Sequence, residues 1–326
     1  MSDTMVDADV IRDAVALACR APSLHNSQPW RWVVDGAGIE LFLDRDRTMP
    51  SADRTGREAL ISCGAALDHL RVTLAAAGWA VTVTRFPDPG QPDHLAHVDL
   101  APLEGVSAAD RRLAAAIPAR RTDRLPLGAP PDRDRLVSVL RALADRDGMY
   151  LDEVADDVRS GLADASALTE AMRLYDSPYH AELDWWTAPI ETIEGIPHSA
   201  LVSASESERV QLGRNFPVTG HTQRRAAIEE DGATVLVLAT HADTAAAALG
   251  SGEALSRVLL ECTAAGLATC TVTHVTELAV GRDVIAALTG RDAFPQLLVR
   301  VGVAPSLEKV APPTPRRPLE DVLSFS

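Results

Sequence analysis

The sequence predicts an α+β fold built from two tandem half-domains, residues 1–106 and residues 107–326. The chain has 326 residues, which is long for one compact unit and comfortable for two. Apolar residues recur with helical and with strand spacing along most of the chain. A helix-and-strand pattern from the first half also returns in the second half, which suggests that the halves are related.

The repeated pattern is a long apolar helix that ends at glycine and leads into a strand. Residues 64–80 and 252–268 align without a gap, and seven of their 17 positions are identical. Four of the identities are alanines, which alanine-rich helices share readily by chance. The glycines that match at both ends of the helix are harder to explain by chance, so we interpret the repeat as a duplication.

The first half is expected to contain two helices and four strands. The helices are residues 7–20 and 57–78, and the strands are residues 30–34, 39–43, 80–86 and 96–100. The first helix has its apolar residues at helical spacing and ends before Pro22, because the residue before a proline disfavours helix. Alternating apolar residues on both sides of Asp35-Gly36 predict a hairpin.

The second half is expected to repeat this alternation around one irregular segment. Helices are expected at residues 108–119, 135–144, 158–174, 252–266 and 283–289, and strands at 149–154, 234–239, 268–273 and 295–303. Residues 177–220 lack periodicity and hold two adjacent tryptophans. Irregular stretches of this length are uncommon in compact proteins and often form lids or binding loops. We therefore expect a lid at about residues 177–220.

Composition excludes several functions. The net charge of −15 opposes binding to nucleic-acid phosphates. The four cysteines form neither a CxxC pair nor a Cys/His cluster with zinc spacing, so we expect no metal and buried thiols in a reducing compartment. The acidic N-terminus lacks a signal-peptide pattern, and no apolar run reaches the roughly 18 residues of a membrane span. We expect a cytoplasmic protein that binds neither nucleic acid nor membrane.

The first motif with polar side chains suited to a ligand is APSLHNSQPWRW at residues 21–32. Ser23, Asn26 and Gln28 offer donors and acceptors on a loop that two prolines constrain. Such a loop can bind the edge of a planar ring that forms hydrogen bonds. Taken alone, an ordinary capped turn explains these residues better.

Two further motifs are rich in arginine. RRTDR at residues 120–124 follows a helix and suits a phosphate or a carboxylate. PRRPL at residues 315–319 holds two more arginines between prolines and would complete the same anion site. The alternatives are a solvated charged loop and a basic tail without a function.

Together, these motifs resemble the FMN-dependent nitroreductase family. The resemblance is carried by APSxxNxQPWxW, RRTxR, the helix GxALxxxxLxxxxxAGL, LLVRVGVAP and the final PRRPLE, and it covers most of the chain outside the central irregular stretch. It implies a nitroreductase-like fold and one bound FMN as cofactor.

The order of the motifs departs from ordinary members of the family. In those members, one chain carries the arginine run and then the APSxxNxQPW loop, and two chains share two FMN sites across their interface. Here each half supplies the motif that the other lacks, so the resemblance implies a fused dimer with one complete flavin site. This arrangement is similar to the Acg-type branch, whose members carry a lid in the second half.

The resemblance also implies a set of residues that hold FMN. The phosphate would be bound by Arg120, Arg121, Thr122 and Arg124, joined by Arg316 or Arg317. The ring would face Ser23 and Asn26 on a loop shaped by Pro22 and Gln28, with Thr271, Val272, Thr273 and His274 beside it. Arg224 or Arg225 would approach from the edge of the lid. No catalytic side chain is assigned, because the cofactor carries the hydride chemistry.

Two functions remain open at this point. The first is transfer of electrons from NAD(P)H through FMN to a nitroaromatic, quinone or similar small acceptor. The second is sequestration of FMN under the lid without turnover. A third reading, an interaction protein that has lost flavin, is opposed by the preserved arginines and the PSxxN loop. Since the family's dimer interface would lie inside one chain, we expect a monomer or a new kind of homodimer.

Overall fold

The computed structural model describes residues 6–36, 38–146, 148–188, 194–217, 219–220, 224–306, 308 and 312–326. Its helices are α1 (Ala8–Ala18), α2 (Arg57–Ala76), α3 (Ala108–Ala116), α4 (Arg133–Arg146), α5 (Arg159–Arg173), α6 (Ser177–Trp186), α7 (Ala204–Ser207), α8 (Ala245–Ala264) and α9 (Ala279–Thr289). Its strands are β1 (Trp30–Asp35), β2 (Gly38–Leu43), β3 (Trp79–Arg85), β4 (His94–Pro102), β5 (Tyr150–Glu153), β6 (Thr234–Thr240), β7 (Ala268–Val272), β8 (Phe294–Gly302) and β9 (Leu323–Phe325). This mixture of helices and sheets confirms the α+β class.

The strands form two separate sheets. The first has the order β3-β4-β2-β1-β9, and the second has the order β5-β6-β8-β7. The tail returns to the first sheet, where β9 pairs in parallel with β1 through Trp32 and Leu323. This short strand was not expected from the sequence. The division at residue 106 stays a prediction.

Burial explains the apolar patterns of the strands. Every residue of β6 is buried, and eight of the nine residues of β8 are buried. Apolar clusters cover both faces of this sheet, one with α4 and α8 and the other with α5 and α9. A strand covered on both faces requires a continuous apolar run, which is the pattern seen at residues 234–239.

Helices α2 and α8 cross at the centre of the molecule. A Cβ atom at Gly64 would lie 1.9 Å from the carbonyl oxygen of Leu249, and a Cβ atom at Gly252 would lie 2.0 Å from that of Ile61. Only glycine permits backbones to approach this closely. The pair Gly252 and Leu249 follows the pair Gly64 and Ile61 at the spacing of the sequence repeat. The two contacts are therefore equivalent when the halves are exchanged, as in a two-fold interface.

Two expectations about the helices were wrong. The start of the segment 177–220 is not irregular, because α6 forms there. Asp176 caps the helix, and Tyr179, Leu183 and Trp186 are buried at helical spacing against Met49 and Ala52. Helix α8 begins at Ala245, seven residues before the expected start at 252, where Thr244 accepts a hydrogen bond as its cap.

Helix α2 also contradicts the expectation that no segment is long and apolar enough for a membrane span. It meets both criteria over Arg57–Ala76, but 72% of the window is buried inside the protein. Its long contact with α8 accounts for this composition, since a helix packed on several sides has few polar positions.

Candidate functional site

A cleft with two adjoining cavities lies between the loop before β1, the residues after α3, the end of β7 and the central segment. The arginine cavity is lined by Arg20, Asn26, Arg120, Arg121 and Arg316, among others. The β7 cavity is lined by His25, Glu58, Phe216 and Thr271–His274, among others. Both cavities are also lined by Pro22, Ser23, Thr122 and Arg124, so they form two ends of one cleft.

The loop before β1 has a strained backbone at the mouth of the cleft. His25, Asn26 and Gln28 have positive φ angles of 48°, 61° and 54°. Non-glycine residues seldom adopt this conformation, and strain of this kind concentrates at ligand sites. The backbone N–H of Gln28 donates to the Ser23 Oγ atom at 3.1 Å, which closes the loop. The geometry therefore goes beyond that of an ordinary capped turn.

His25 lines the β7 cavity. The residue is 5% exposed, and neither of its ring nitrogens has a hydrogen-bond partner among the residues that the structure describes. Burial lowers the pKa of His25 well below its usual value, and the charges of Arg214 and Arg124 lower it further. The imidazole is therefore neutral. Its unpaired nitrogens are a cost that a ligand in the cavity would remove.

The arginine cavity gathers four guanidinium groups that have no carboxylate partner among the described residues. Within the described residues, Arg20, Arg120, Arg121 and Arg316 form no salt bridge with any carboxylate. Burial and the charges of Arg20 and Arg121 lower the pKa of Arg120 to about 10. Burial also lowers the pKa of Arg316 well below its usual value, with Arg20 and Arg120 adding to the effect. Such a cluster of mutually repelling guanidinium groups is suited to a multiply charged anion.

Backbone carbonyls hold these arginines in place. Arg316 donates from Nε to the carbonyl of Cys19 at 2.7 Å and from Nη2 to those of Arg20 and Ala21. Arg20 donates to the carbonyl of Thr314 at 3.1 Å. The tail and the end of α1 are therefore tied together around the cavity. Carbonyl oxygens orient the guanidinium groups but do not neutralise their charge.

Three other arginines of the cavity are already engaged. Arg224 forms an ion pair with Glu206, whose pKa falls to about 2 mainly because hydrogen bonds to Arg224 and Ser203 outweigh burial. Arg225 pairs with Asp123 and Glu308. The guanidinium of Arg124 lies over the ring of Phe216, with its carbon 5.2 Å from the ring centre.

The end of β7 supplies the far side of its cavity. All four predicted residues at this end, Thr271, Val272, Thr273 and His274, line the cavity. The Nε2 atom of His274 lies 2.7 Å from the Ser166 Oγ atom, and burial lowers the pKa of His274 well below its usual value. His274 is therefore a neutral, hydrogen-bonded side chain.

Two predicted residues lie outside the cleft. Gln28 accepts a hydrogen bond from the backbone N–H of Arg317 at 2.9 Å, and Arg317 forms a salt bridge with Asp44. These two residues join the tail to the back of the loop. Arg316 therefore lies in the arginine cavity, and Arg317 does not. Asn26 lines that cavity, but its side-chain amide donates to the carbonyl of Pro315.

The central segment covers the β7 cavity without its tryptophans. The described residues of this segment that line the cavity are Val202, Ser207, Val210, Leu212, Gly213, Arg214 and Phe216. Trp185 is 70% exposed, and Trp186 packs in a separate cluster with Met49. Glu182 accepts hydrogen bonds from the backbone N–H groups of Ser51 and Ala52. The segment is thus fastened to the first half.

Two residues of the cleft had no assigned role at the sequence level. Arg20 directly precedes the APS motif at the end of α1, so its position beside a candidate loop was an available signal. Glu58 had no such signal, because a glutamate in the first turn of a helix commonly faces solvent. The packing of α2 against the second half buries it.

Comparisons with known proteins agree with this architecture. No family model matches the chain. "Putative NAD(P)H nitroreductase acg" of Mycobacterium tuberculosis (strain H37Rv) is 56% identical over 322 residues, which cover 99% of this chain and 97% of that protein. "Putative NAD(P)H nitroreductase Rv3131" of the same strain is 40% identical over 327 residues, which cover 100% of this chain and 94% of that protein. A solved nitroreductase-like structure from Anabaena variabilis shares the fold, with a TM-score of 0.53, 9% identity and coverage of 93% of this chain and 90% of that one. The chain therefore belongs to the nitroreductase-like family, in its Acg-type branch.

Proposed function

We propose that this protein binds one FMN along the cleft, with the phosphate in the arginine cavity and the isoalloxazine ring in the β7 cavity. The observation that carries this proposal is the cluster Arg20, Arg120, Arg121 and Arg316, which lacks a carboxylate partner among the described residues. A phosphate dianion would neutralise part of this charge and accept several charge-assisted hydrogen bonds.

The β7 cavity supports the same orientation. Ile61, Leu255 and Phe216 provide apolar surface, while Ser23 and the unpaired nitrogens of His25 provide polar contacts. A flat ring system with hydrogen-bonding edges fits such a mixed lining. The strained loop would hold its polar groups in fixed positions, which reduces the entropy lost on binding.

We propose that the protein is an oxidoreductase. FMN supplies hydride chemistry between NAD(P)H and an acceptor such as a nitroaromatic or a quinone. The residues of the chain would bind the phosphate, orient the ring and exclude water from it. The names of the mycobacterial relatives as NAD(P)H nitroreductases support this assignment.

Sequestration of FMN is the second candidate. It is favoured by the central segment, which lines the β7 cavity with Val210, Leu212 and Phe216 and is anchored to the first half by Glu182. A ring covered in this way would be shielded from nicotinamide. We propose that residues 177–220 act as this lid in both functions, and that opening of the lid decides between them.

We further infer that the chain arose by fusion of two related halves. The reciprocal contacts of Gly64 and Gly252 at the crossing of α2 and α8 support this inference. A buried two-fold interface leaves a monomer or a new homodimer as the expected state. The four cysteines are free and buried in the structure, which supports a cytoplasmic location.

An anaerobic visible spectrum of the purified protein, before and after addition of NADPH, tests these proposals. We expect a flavin band that bleaches within the mixing time of the experiment. A band that persists with NADPH and NADH but bleaches with dithionite would favour sequestration instead. Absence of a band even after incubation with FMN would contradict the proposed cofactor.

A further inference from the structure

Glu58 is an acid buried in the wall of the β7 cavity. It lies in the first turn of α2, is 2% exposed and lines the cavity together with Ser23, His25 and Thr273. Its carboxylate accepts a hydrogen bond from the Nη2 atom of Arg57.

Asp53 precedes α2 and lies beside Glu58. One of its oxygens, Oδ2, accepts a hydrogen bond from the backbone N–H of Ala59 at 2.8 Å. The other oxygen, Oδ1, is buried and accepts no hydrogen bond from the described part of the chain. An unpaired buried carboxylate oxygen is costly. A proton on Glu58 would supply a donor, since Asp53 lies close enough to Glu58 to raise its pKa.

Arg57 is the guanidinium that contacts this pair. In the described residues, the neighbouring carboxylate of Glu277 forms salt bridges with Arg173 and Arg214. Arg57 is then the single guanidinium in contact with Glu58, and its other hydrogen bonds go to Gln296 and Thr276. Two buried carboxylates close to each other disfavour the state in which both are ionised.

The pKa of Glu58 agrees with this geometry. Burial raises it well above its usual value, Arg57 opposes the rise, and Asp53 and Glu277 add to it. The histidines of the cavity cannot replace Glu58 as an acid, since burial holds the pKa values of His25 and His274 well below their usual value.

We propose that Glu58 is a protonated carboxylic acid at neutral pH, shares its proton with Asp53, and donates that proton to the electron acceptor in the β7 cavity. The protonation of the pair is inferred from the burial of Glu58 in the cavity wall and the unpaired Asp53 oxygen, together with the raised pKa of Glu58, whereas its use in turnover rests on the proposed function. Glu58 is the member of the pair that faces the cavity, and Asp53 stabilises its proton from behind.

The reduction of a quinone illustrates how electrons and protons balance in this step. NAD(P)H, a quinone and one proton give NAD(P)⁺ and a hydroquinone. The nicotinamide supplies two electrons and one hydrogen nucleus, so one quinone oxygen is left with a negative charge. The O–H bond of Glu58 breaks as the O–H bond of that oxygen forms, and the Glu58 carboxylate remains paired with Arg57. A proton from solvent then restores the acid.

Infrared spectroscopy of the full-length protein tests the protonation without turnover. At pH 7, the wild type should show the C=O band of protonated carboxyl groups, and Glu58→Gln should remove the intensity of one group. Glu229→Gln, at an exposed position, serves as the matched control and should leave the band unchanged. An unchanged band in Glu58→Gln, or no such band in the wild type, would overturn the proposal.

A second variant tests the shared proton. Asp53→Asn removes the negative neighbour, so the band of Glu58 should disappear at a lower pH than in the wild type. An unchanged midpoint would show that Asp53 does not hold the proton. Because this variant retains Glu58, it also tests the protonation of Glu58 if Glu58→Gln fails to fold. Circular dichroism would reveal such a failure.

Steady-state reduction of a soluble benzoquinone by NADPH tests the use of the proton. Glu58→Gln should lower kcat about 100-fold, as expected for loss of a general acid. A wild-type kcat in this variant would overturn the donor role. If the wild type itself does not turn over, the proposed reductase function fails, while the infrared result still decides the protonation of Glu58.

Discussion

The two ends of the cleft differ in whether their arginines have carboxylate partners. At the arginine end, Arg20, Arg120, Arg121 and Arg316 lie together without a carboxylate partner among the described residues. At the β7 end, three buried arginines have acidic partners: Arg57 contacts Glu58, while Arg173 and Arg214 contact Glu277. The four arginines of the first end therefore lack carboxylate partners, whereas these three arginines of the second end have them.

This difference matches the two parts of the proposed cofactor. The phosphate of FMN is a dianion, whereas its oxidised ring is neutral and forms hydrogen bonds at its edges. A site that kept its positive charge paired would gain little from a phosphate, because the ligand would have to break existing ion pairs. In the proposed complex, the unpaired arginines at one end would therefore fix the orientation of FMN in the cleft.

The largest expected effect comes from removing the unpaired charge. Arg120→Ala with Arg316→Ala should weaken FMN binding at least about 100-fold, because charge-assisted hydrogen bonds to the phosphate are lost. Binding of riboflavin, which lacks the phosphate, should change by less than about threefold. Fluorescence titration of both ligands measures the two affinities.

The paired arginine in the same cavity provides the matched control. Arg224→Gln with Glu206→Gln removes an ion pair without changing the net charge. FMN binding in this variant should remain within about threefold of the wild type. Equal losses in the two double variants would show that pairing does not distinguish the arginines.

The next prediction concerns the pH dependence of stability, which reflects the lowered pKa of the buried His69 near the arginine end. His69 is fully buried, and burial followed by the charges of Arg120 and Arg316 holds its pKa well below the usual value. The unfolded chain takes up a proton here as the pH falls below about 6.5, whereas the folded chain does not. The free energy of unfolding should therefore fall with decreasing pH by up to about 1.4 kcal/mol per unit for this residue.

Denaturant unfolding between pH 7.5 and 5.5 measures this dependence. His69→Gln should reduce the slope of the unfolding free energy against pH by up to about 1.4 kcal/mol per pH unit, the contribution of one proton. His180→Gln, which replaces an exposed histidine, should leave the slope unchanged. An equal slope in all three proteins would contradict the buried neutral state of His69.

A smaller effect is expected on the stability of the flavin-free protein. Arg120→Met removes a buried charge from a group of like charges and retains most of the side-chain volume, so it should raise the unfolding free energy by about 1 kcal/mol. This corresponds to about 2 °C in Tm. With saturating FMN the order should reverse, because the wild type gains more from binding. A lower Tm of the flavin-free variant would show that the cluster is not strained by its charge.

The smallest expected effect concerns the hydrogen bonds that anchor the central segment to the first half. Glu182→Gln weakens the acceptor for the backbone N–H groups of Ser51 and Ala52. FMN release should become about fivefold faster, since loss of charge on a hydrogen-bond acceptor costs about 1 kcal/mol. Stopped-flow fluorescence of FMN release measures the rate, with Glu229→Gln as the control. An unchanged rate would show that the ring leaves without opening this contact.

The elements of the fold followed from local patterns in most places. Helical periodicity predicted α1, α2 and α5, and the continuous apolar run at residues 234–239 predicted β6. The same reasoning missed α6, because its aromatic and charged side chains hid the spacing of Tyr179, Leu183 and Trp186. It also missed β9, whose three residues become a strand through pairing with β1.

The candidate site could be predicted only where its residues lie together in one sequence motif. Arg120, Arg121 and Arg124 stand in one run, and Ser23 and Asn26 stand in one loop, so a motif could identify them. The choice between Arg316 and Arg317 could not be made from sequence, since both neighbours have the same chemistry. The structure separates them by direction: Arg316 lies in the cavity, and Arg317 forms a salt bridge with Asp44.

The sequence by itself determined the α+β class, the repeated helix and the residue types of an anion site, because periodicity and side-chain chemistry are local properties. The tertiary structure alone decided which charges are compensated and which acid is buried. Pairing and burial depend on residues far apart in the chain, such as Arg224 with Glu206 or Glu58 with the residues of β7. Such long-range contacts determine whether a guanidinium group has a carboxylate partner and whether a glutamate is buried.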